Sequence, residues 1–175
     1  GSVYFEAHGV PRGLGAPRFD SFEARLAHAM LSLPATTAFE FGLGRSAVEY
    51  TGFERNDPFT FDDDGSVVPA SNNHGGVQGG ITTGEVIFGE VTFHAPTSIV
   101  KKQQTVDWAT NEEKEIQVIG RHDPVLPPRG VPVVESLLNL IVLDFMLLGG
   151  RINPDRIDGK PGVYDTDYHP VNPQN

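Results

Sequence analysis

The chain has 175 residues, no cysteine and a formal net charge of −10 at pH 7. This length predicts one domain that is large enough to bury a real core. The lack of cysteine excludes disulfides, thiolate metal sites and a cysteine nucleophile, and it fits a reducing compartment. The acidic charge argues against nucleic acid as a partner, because phosphate contacts need a basic surface.

The start of the chain predicts a strand followed by a helix. Alternating side-chain character indicates a strand over Val3–Val10, which the stretch PRGLG ends. The stretch FDSFEARLAHAMLSL is typical of an amphipathic helix with Asp20 as N-cap and Glu23 three residues later, and Pro34 ends it. The apolar face of this helix comprises Phe22, Leu26, Ala29, Met30 and Leu33.

The middle of the chain predicts short strands separated by turns. Turn residues dominate residues 52–84, in RNDPF, FDDDGS and SNNHGGVQGG. A clear strand is expected over Val86–His94, with Ile87, Val91 and Phe93 on one face. Weaker strands are expected over Thr37–Phe41, Ser46–Tyr50, Gln104–Trp108 and Lys114–Ile119.

The last expected element is a helix over about residues 132–148 that begins with a proline. The segment approaches the length of a membrane span, but Glu135, Asn139 and Asp144 interrupt it, so we expect a buried helix and no membrane. Because its apolar residues lie nearly all round, it is expected to be covered on most sides. The order of strand, helix, several strands and helix predicts an α+β layered domain over residues 1–148.

Residues 149–175 differ in kind from the rest of the chain. They lack periodicity and are rich in proline, glycine, aspartate and asparagine, which is typical of an extended tail. Tyr164 and Tyr168 are the side chains that we expect to dock this tail on the same subunit or on a neighbour.

The stretch GRHDPVLPPRG places three titratable side chains immediately before the apolar helix. In an extended segment Arg121 and Asp123 point one way and His122 the other. A guanidinium and a carboxylate at this spacing can clamp an anionic ligand and handle a proton beside it. Arg129 and the N-terminus of the following helix add positive potential. The alternative is a structural ion pair that holds the loop to the helix.

Two further segments are candidates for anion binding. In SNNHGGVQGGITTGE, glycine turns allow backbone N–H groups to converge on an oxyanion, although such a loop can also be only a tight turn. The stretch FHAPTSIVKKQQT offers a histidine, hydroxyls and cations for a phosphate, or else it is a solvated hairpin tip. Its polar residues are His94, Thr97, Ser98, Lys101 and Lys102. The histidines show no metal-ligand spacing, so no metal is expected.

Taken together, these motifs resemble the chorismate synthase family. The matching stretches occur in the family's order across nearly all of residues 9–144. They are GVPRGLGAPRFD, LAHAMLSLPAT, FEFGLG, ERNDPF, SNNHGGVQGGITTGE, APTSI, KQQTV, GRHDP and PRGVPVVESL. The resemblance implies a layered β-α-β sandwich of antiparallel strands around central helices, with pseudo-symmetric halves and usually a homotetramer.

The resemblance also implies a reaction and a cofactor. The reaction is the elimination of phosphate from 5-enolpyruvylshikimate 3-phosphate, a small phosphorylated dicarboxylate, to give chorismate in the last step of the shikimate pathway. It needs reduced FMN without a net redox change. The implied location is the cytoplasm, or the plastid stroma in a plastid-bearing organism.

The family's motifs assign roles to particular positions of this chain. Asp123 is similar to the aspartate that assists proton transfer beside the flavin. Arg121 and Arg129 are implied to bind substrate. The implied flavin contacts are Pro34, Ala35, Gly79, His94, Thr97, Ser98 and Arg121. The chain departs from the family at His94, where the family usually has a lysine, and at Thr82–Thr83, where it commonly has Ser-Asn.

The resemblance covers only the C-terminal half of the family's chain. The N-terminal half carries the two catalytic histidines, several substrate-binding arginines and a glycine-rich flavin loop. We therefore expect the chain to act as the C-terminal half of a chorismate synthase that is inactive without an N-terminal partner half. The alternative is a non-catalytic flavin-binding or assembly module of the same fold.

Overall fold

A three-stranded antiparallel sheet packed against two long helices forms the body of the molecule. The computed structural model describes residues 1–152. The strands are β1 (Ser2–Ala7), β2 (Thr36–Phe41), β3 (Phe59–Phe61), β4 (Val67–Pro69), β5 (Val77–Gln78), β6 (Ile81–Thr82), β7 (Ile87–Phe93), β8 (Lys102–Asp107) and β9 (Glu112–Gln117), and the helices are α1 (Phe22–Leu31), α2 (Gly52–Arg55) and α3 (Pro127–Leu148). The α+β class predicted from the sequence is confirmed.

The strand β7 is the centre of the main sheet, whose order is β1-β7-β2. Burial alternates along β7, so that Ile87, Val91 and Phe93 lie in the core as predicted. Gly89 lies between Phe5 of β1 and Phe41 of β2. Because a Cβ at this position would lie 2.7 Å from the ring of Phe5, glycine lets that ring pack across the central strand. The strand β1 ends at Ala7 rather than continuing to residue 10.

The helix α1 buries one apolar stripe and begins at a different cap from the one predicted. Phe22, Leu26 and Met30 are fully buried. The N-cap is Ser21, whose Oγ accepts a hydrogen bond from the backbone N of Ala24. The predicted cap, Asp20, is wrong because this residue belongs to a preceding 3₁₀ turn over Arg18–Asp20 and its carboxylate pairs with Arg25 at 3.3 Å.

The helix α3 begins five residues earlier than predicted, at Pro127. Two prolines occupy its first positions, where no N–H is needed, and Pro132 lies inside the helix. Gly130 lets the start of the helix meet Phe93, since a Cβ there would lie 2.9 Å from the ring. Core contacts come from one stripe, which comprises Gly130, Val134, Leu138, Phe145 and Met146.

The other side of α3 is not covered within residues 1–152, which corrects the expectation of a helix covered on most sides. The sheet and α1 cover only the buried stripe. Large apolar side chains remain exposed at Val131, Val133, Leu140, Leu143 and Leu148. By length and composition alone α3 could also cross a membrane, but this is weak evidence because the core helix of a soluble protein meets the same criteria.

Small antiparallel hairpins fill the rest of the described chain. The pairs are β3–β4, β5–β6 and β8–β9, and the last begins two residues earlier on each strand than predicted. The strand predicted over residues 46–50 is wrong, because a 3₁₀ helix spans Gly44–Glu49. There the backbone closes local bonds such as Ser46 N to Leu43 O at 3.0 Å, and Val48 is 83% exposed.

The described start of the predicted tail is attached to the body. The backbone N–H groups of Arg151 and Ile152 both donate to the carbonyl of Met146, and Ile152 packs against the core. Tyr164 and Tyr168 lie outside the described residues, so the prediction that they dock the tail stays a prediction.

Candidate functional site

Most of the residues singled out in the sequence gather at one end of the molecule. The helices α1 and α3 run antiparallel. The ring of Phe22 at the start of α1 lies 5.4 Å from that of Phe145 near the end of α3, and Thr36, just after α1, pairs with Phe93, which also contacts the start of α3. The end of α1 and the start of α3 therefore share an end, and Gly130 packs there on Phe93 at the end of β7. We call this the β7 end; it carries residues 34–35, 94–98 and 121–129.

Ala35 and His94 are in direct contact at the β7 end. The backbone N–H of His94 donates to the carbonyl of Ala35 at 3.0 Å. Ala35 has φ +68°, a left-handed conformation that strains a residue with a Cβ. The exposed ring of His94 donates from Nδ1 to the carbonyl of Ala95 at 2.7 Å, because a carbonyl can only accept, and this leaves Nε2 for an outside partner.

The hydroxyl groups of Thr97 and Ser98 are exposed beside His94. The carbonyl of Thr97 accepts from the backbone N–H of Ile99 and from the Nε2 group of Gln103, both at 3.1 Å, so the turn is fixed through its backbone. Within residues 1–152 neither hydroxyl has a hydrogen-bond partner. Both can therefore donate to an anion.

Arg121 and Asp123, which alternation in the sequence predicts to point the same way, do not form an ion pair with each other in the described part of the chain. Asp123 instead pairs with Arg129, whose Nη1 lies 2.7 Å from its Oδ2. This contact ties the loop to the first turn of α3 and agrees with the alternative of a structural ion pair, although with a different arginine. Arg121 is exposed and makes no ion pair within the described part of the chain. The β7 end thus offers the carboxylate of Asp123, which Arg129 holds in place, and the exposed guanidinium of Arg121.

Gly79 lies at the opposite end of the molecule from the other predicted flavin contacts. It forms the two-residue turn between β5 and β6 with Gly80, whose carbonyl accepts from the N–H of Phe22 at 3.0 Å. The turn is therefore at the start of α1, whereas Ala35 follows its end. Helix α1 has 10 residues and is therefore about 15 Å long. Within one copy of the chain, Gly79 is thus not at the β7 end.

A pocket of about 690 Å³ opens beside Gly79 rather than at the β7 end. Two arginines, an aromatic wall and the glycine turn line it. We call it the Arg12 pocket, and its lining includes Arg12, Gly13, Phe59, Gly79, Thr83 and Arg151. None of the residues singled out at the β7 end belongs to it.

The glycine-rich loop converges on an oxyanion of the chain itself. Asp57 is 3% exposed, and its carboxylate accepts from the backbone N–H groups of Asn73 and His74 at 2.9 and 2.8 Å. The hydroxyl of Ser71 and Nδ1 of His74 donate to the same carboxylate at 2.7 and 2.6 Å. Burial disfavours the charged form, but these hydrogen bonds outweigh it and lower the pKa of Asp57 to about 2.

Sequence reasoning missed Asp57 although a signal for it exists. Asp57 lies in the turn stretch RNDPF, where Pro58 restricts its backbone. A short acidic residue next to successive N–H groups of a glycine-rich loop is a natural acceptor for them. The oxyanion that these N–H groups bind is thus the chain's own carboxylate of Asp57. Among the described residues no group of three or more histidines and carboxylates could hold a metal ion.

Comparisons with known proteins agree on one family. The family model described as chorismate synthase matches residues 1–147. The chorismate synthase of Halorubrum lacusprofundi is 66% identical over 185 residues, which is 100% of this chain and 47% of the relative. The chloroplastic chorismate synthase of Capnoides sempervirens is 50% identical over 141 residues, covering 79% of this chain and 31% of the relative.

A solved structure gives the same result at the level of the fold. A crystal structure of chorismate synthase superposes with a TM-score of 0.62 at 27% identity, covering 85% of this chain and 38% of that one. The chain thus spans about half the length of the curated relatives that it matches. Together with the matching motifs at the β7 end, these findings show that the chain belongs to the chorismate synthase family.

Proposed function

We propose that the chain is the C-terminal half of a chorismate synthase, which eliminates phosphate from 5-enolpyruvylshikimate 3-phosphate to form chorismate. The observation that carries this proposal is the gathering of Ala35, His94, Arg121 and Asp123 at the β7 end, where the start of α3 also lies. Ala35, Arg121 and Asp123 belong to stretches that match family motifs, and His94 directly precedes the matching stretch APTSI. The pathway role, the last step of the shikimate pathway, follows from this reaction.

The residues of the β7 end fit reduced FMN, the cofactor of the family's reaction. The exposed hydroxyls of Thr97 and Ser98 and the Nε2 of His94 are groups that bind phosphate, and the first turn of α3 adds positive potential. The backbone at Pro34–Ala35 is exposed or half-buried and strained, as is common where backbone meets a ligand. When bound, reduced FMN supplies the electron density that phosphate elimination requires.

The chain's own residues then have separate roles. Arg121 is placed to bind a carboxylate or phosphate group of the substrate with its planar guanidinium. With FMN bound, the carboxylate of Asp123 would hold or accept a proton, and Arg129 fixes that carboxylate at 2.7 Å while its positive charge would favour an anionic substrate. Because Gly79 lies at the opposite end, it would contribute to a flavin site at the β7 end only from another copy of the chain, or else belong to a separate site.

An N-terminal partner half is the second part of the proposal. The resemblance places the two catalytic histidines in the family's N-terminal half, whose motifs the matching stretches of this chain do not include. The large apolar side chains of α3 that are exposed within residues 1–152 favour a covering partner, because extensive exposed apolar surface often marks a protein contact. We propose that the N-terminal half covers this face, that the assembled protein forms homotetramers, and that it acts in the cytoplasm or the plastid stroma.

A non-catalytic flavin-binding or assembly module of the same fold is the second candidate function. The replacement of the family's lysine by His94 favours this non-catalytic module, since a permanent cation is lost beside the groups that would bind phosphate. The two candidates differ in one respect. Only the enzyme requires the carboxylate of Asp123 for turnover, whereas a binding module requires only the contacts that hold the ligand.

The test compares Asp123→Asn with Arg121→Ala in the enzyme assembled from both halves. Arg121→Ala removes a charge-assisted contact and is expected to weaken substrate or flavin binding by about 1.5–3 kcal/mol. Asp123→Asn keeps the shape but loses the proton acceptor, so it is expected to leave binding nearly intact and to lower kcat by about 10²–10⁴. Flavin affinity, substrate KM and kcat are measured for both variants.

The matched control is Arg129→Gln, which breaks the same ion pair as Asp123→Asn but keeps the carboxylate. It is expected to affect binding more than kcat. If Asp123→Asn and Arg129→Gln both change only thermal stability, by the 0–1 kcal/mol or so of an exposed pair, the catalytic role of Asp123 is wrong.

A further inference from the structure

The exposed ring of His94 is held from one side only. Nδ1 donates to the carbonyl of Ala95 at 2.7 Å, and Pro96 restricts Ala95 to extended backbone conformations, which orients that carbonyl. The backbone N–H of His94 is bound to the carbonyl of Ala35 at 3.0 Å. The ring is therefore fixed through Nδ1, while Nε2 has no hydrogen-bond partner within residues 1–152.

The bond to Ala95 determines what Nε2 can do in each protonation state. Because a carbonyl only accepts, Nδ1 keeps its hydrogen whether the ring is neutral or charged. In the neutral ring Nε2 is then an acceptor, whose lone pair repels the oxygens of an anion, whereas in the imidazolium Nε2 is a charged donor. The other neutral tautomer requires that the bond to Ala95 break. Titration of His94 therefore changes Nε2 from a group that binds an anion to one that repels it.

The segments that border the β7 end carry other charged groups. Three of these groups already make contacts: Asp123 pairs with Arg129 at 2.7 Å, Lys102 pairs with Glu115 at 2.7 Å, and the amino group of Gly1 donates to the carbonyl of Phe93 at 3.1 Å. The remaining groups are exposed and comprise Lys101, Arg121 and His122. A terminal amino group and a second histidine ordinarily titrate near neutral pH as well, so only a replacement of His94 alone separates their effects from its own.

We propose that His94 gates an anion site at the β7 end. A phosphate or sulfate group binds beside the hydroxyls of Thr97 and Ser98 while His94 is protonated, and it is released as the pH rises and the ring becomes neutral. Histidine ordinarily titrates between about pH 5 and pH 8, so the change falls in the range of cellular pH. The inference rests on the proposed function only in taking the phosphate of FMN as the natural ligand.

Sulfate titrations of the 175-residue chain, followed by the NMR signals of the His94 ring and of the amides of Thr97 and Ser98, test the gate. Sulfate keeps its charge and carries no proton through this pH range, so any pH dependence comes from the protein. At constant ionic strength we expect the sulfate affinity of wild type to fall at least about tenfold from about pH 5.5 to about pH 8. His94→Gln, whose amide does not titrate, should change less than about twofold, and His94→Lys should bind at both pH values.

The matched control is His122→Gln, which removes another exposed histidine of the same end and is expected to keep the pH dependence of wild type. A sulfate affinity of wild type that does not change with pH, or a pH dependence that persists in His94→Gln, would overturn the proposal. Because this measurement uses neither an N-terminal half nor turnover, its failure leaves the proposed enzyme intact, and an inactive assembled enzyme leaves the gate intact.

FMN and riboflavin, which lacks the phosphate, identify the source of the anion in the protein assembled from both halves. We expect the affinity for FMN to fall over the same pH range in wild type but not in His94→Lys, while the affinity for riboflavin stays constant in both. A pH-dependent response to sulfate together with a pH-independent affinity for FMN would support the gate but assign it to a free inorganic anion.

Discussion

Replacing Asp57 by asparagine tests whether the glycine-rich loop is held by one buried carboxylate. The carboxylate accepts four hydrogen bonds, from Ser71, Asn73 and His74. An asparagine presents an NH₂ group to donors on one side, so at least one buried donor loses its partner. Because each such loss costs about 1–3 kcal/mol, we expect Asp57→Asn to lower the free energy of unfolding by about 2–4 kcal/mol at pH 7.

The pKa of Asp57 fixes the pH dependence of this contribution. The folded state lowers the pKa of Asp57 from 3.8 to about 2, and one pKa unit corresponds to about 1.4 kcal/mol, so the ionised carboxylate contributes roughly 2–3 kcal/mol. For a lowered pKa this stability is fully present above the unfolded value and is lost as the pH falls toward 2. The difference between wild type and Asp57→Asn is therefore expected to narrow between about pH 4 and pH 2.

Urea denaturation of the chain at pH 7, 4 and 2.5 measures this difference. The control is Asp63→Asn, which removes the same charge from an exposed position and is expected to change the free energy of unfolding by less than about 0.5 kcal/mol. A difference between wild type and Asp57→Asn that stays constant from pH 7 to pH 2.5 would refute the reasoning, as would equal effects of the two substitutions.

Three further predictions follow from the packing. Gly42→Ala is expected to lower the free energy of unfolding by about 2–4 kcal/mol in urea denaturation, because φ is +58° and the Cβ would lie 2.7 Å from the carbonyl of Asn73. Gly79→Ala, with φ +61° and no atom of residues 1–152 within 4 Å, should cost only about 1–2 kcal/mol, and equal losses would contradict the packing argument. Ala35→Gly is expected to relieve strain at φ +68° and to raise stability by about 0.5–1 kcal/mol, whereas a loss would show that the methyl group packs well. Leu140→Glu, at a position 58% exposed on α3, is expected to prevent binding of an N-terminal half, as measured by analytical ultracentrifugation. The control Val48→Glu should bind normally. If both variants bind, the N-terminal half does not cover this side of α3.

The sequence predicts the elements whose signal is local. The period-2 pattern of β7 and the apolar stripe at Phe22, Leu26 and Met30 follow directly from which side chains must face the core. The predicted N-cap of α1 is wrong by one residue because Asp20 and Ser21 are both favourable N-cap residues, and only the preceding 3₁₀ turn decides between them. The predicted start of α3 is wrong because a proline usually marks a helix boundary, whereas this helix continues through Pro132.

The candidate site is predicted only in part because it depends on contacts that are distant in the sequence. Motif matching places Ala35, His94 and Asp123 in a common site, and the packing of α1, α3 and β7 supports that neighbourhood. The same matching cannot tell that Gly79 lies at the other end of α1. Neither can it tell that Asp123 pairs with Arg129 rather than Arg121, because the helical start at Pro127 brings Arg129 back toward the loop.

The measurement that tests the central claim most directly is chorismate formation by the chain with and without an N-terminal half. The chain, the N-terminal half of a relative such as that of Halorubrum lacusprofundi, and an equimolar mixture are each assayed with reduced FMN and 5-enolpyruvylshikimate 3-phosphate. The proposal predicts no turnover above the protein-free control for either part alone and measurable turnover for the mixture, lost with Asp123→Asn. Turnover by the chain alone, or a mixture that associates but stays inactive, would contradict it.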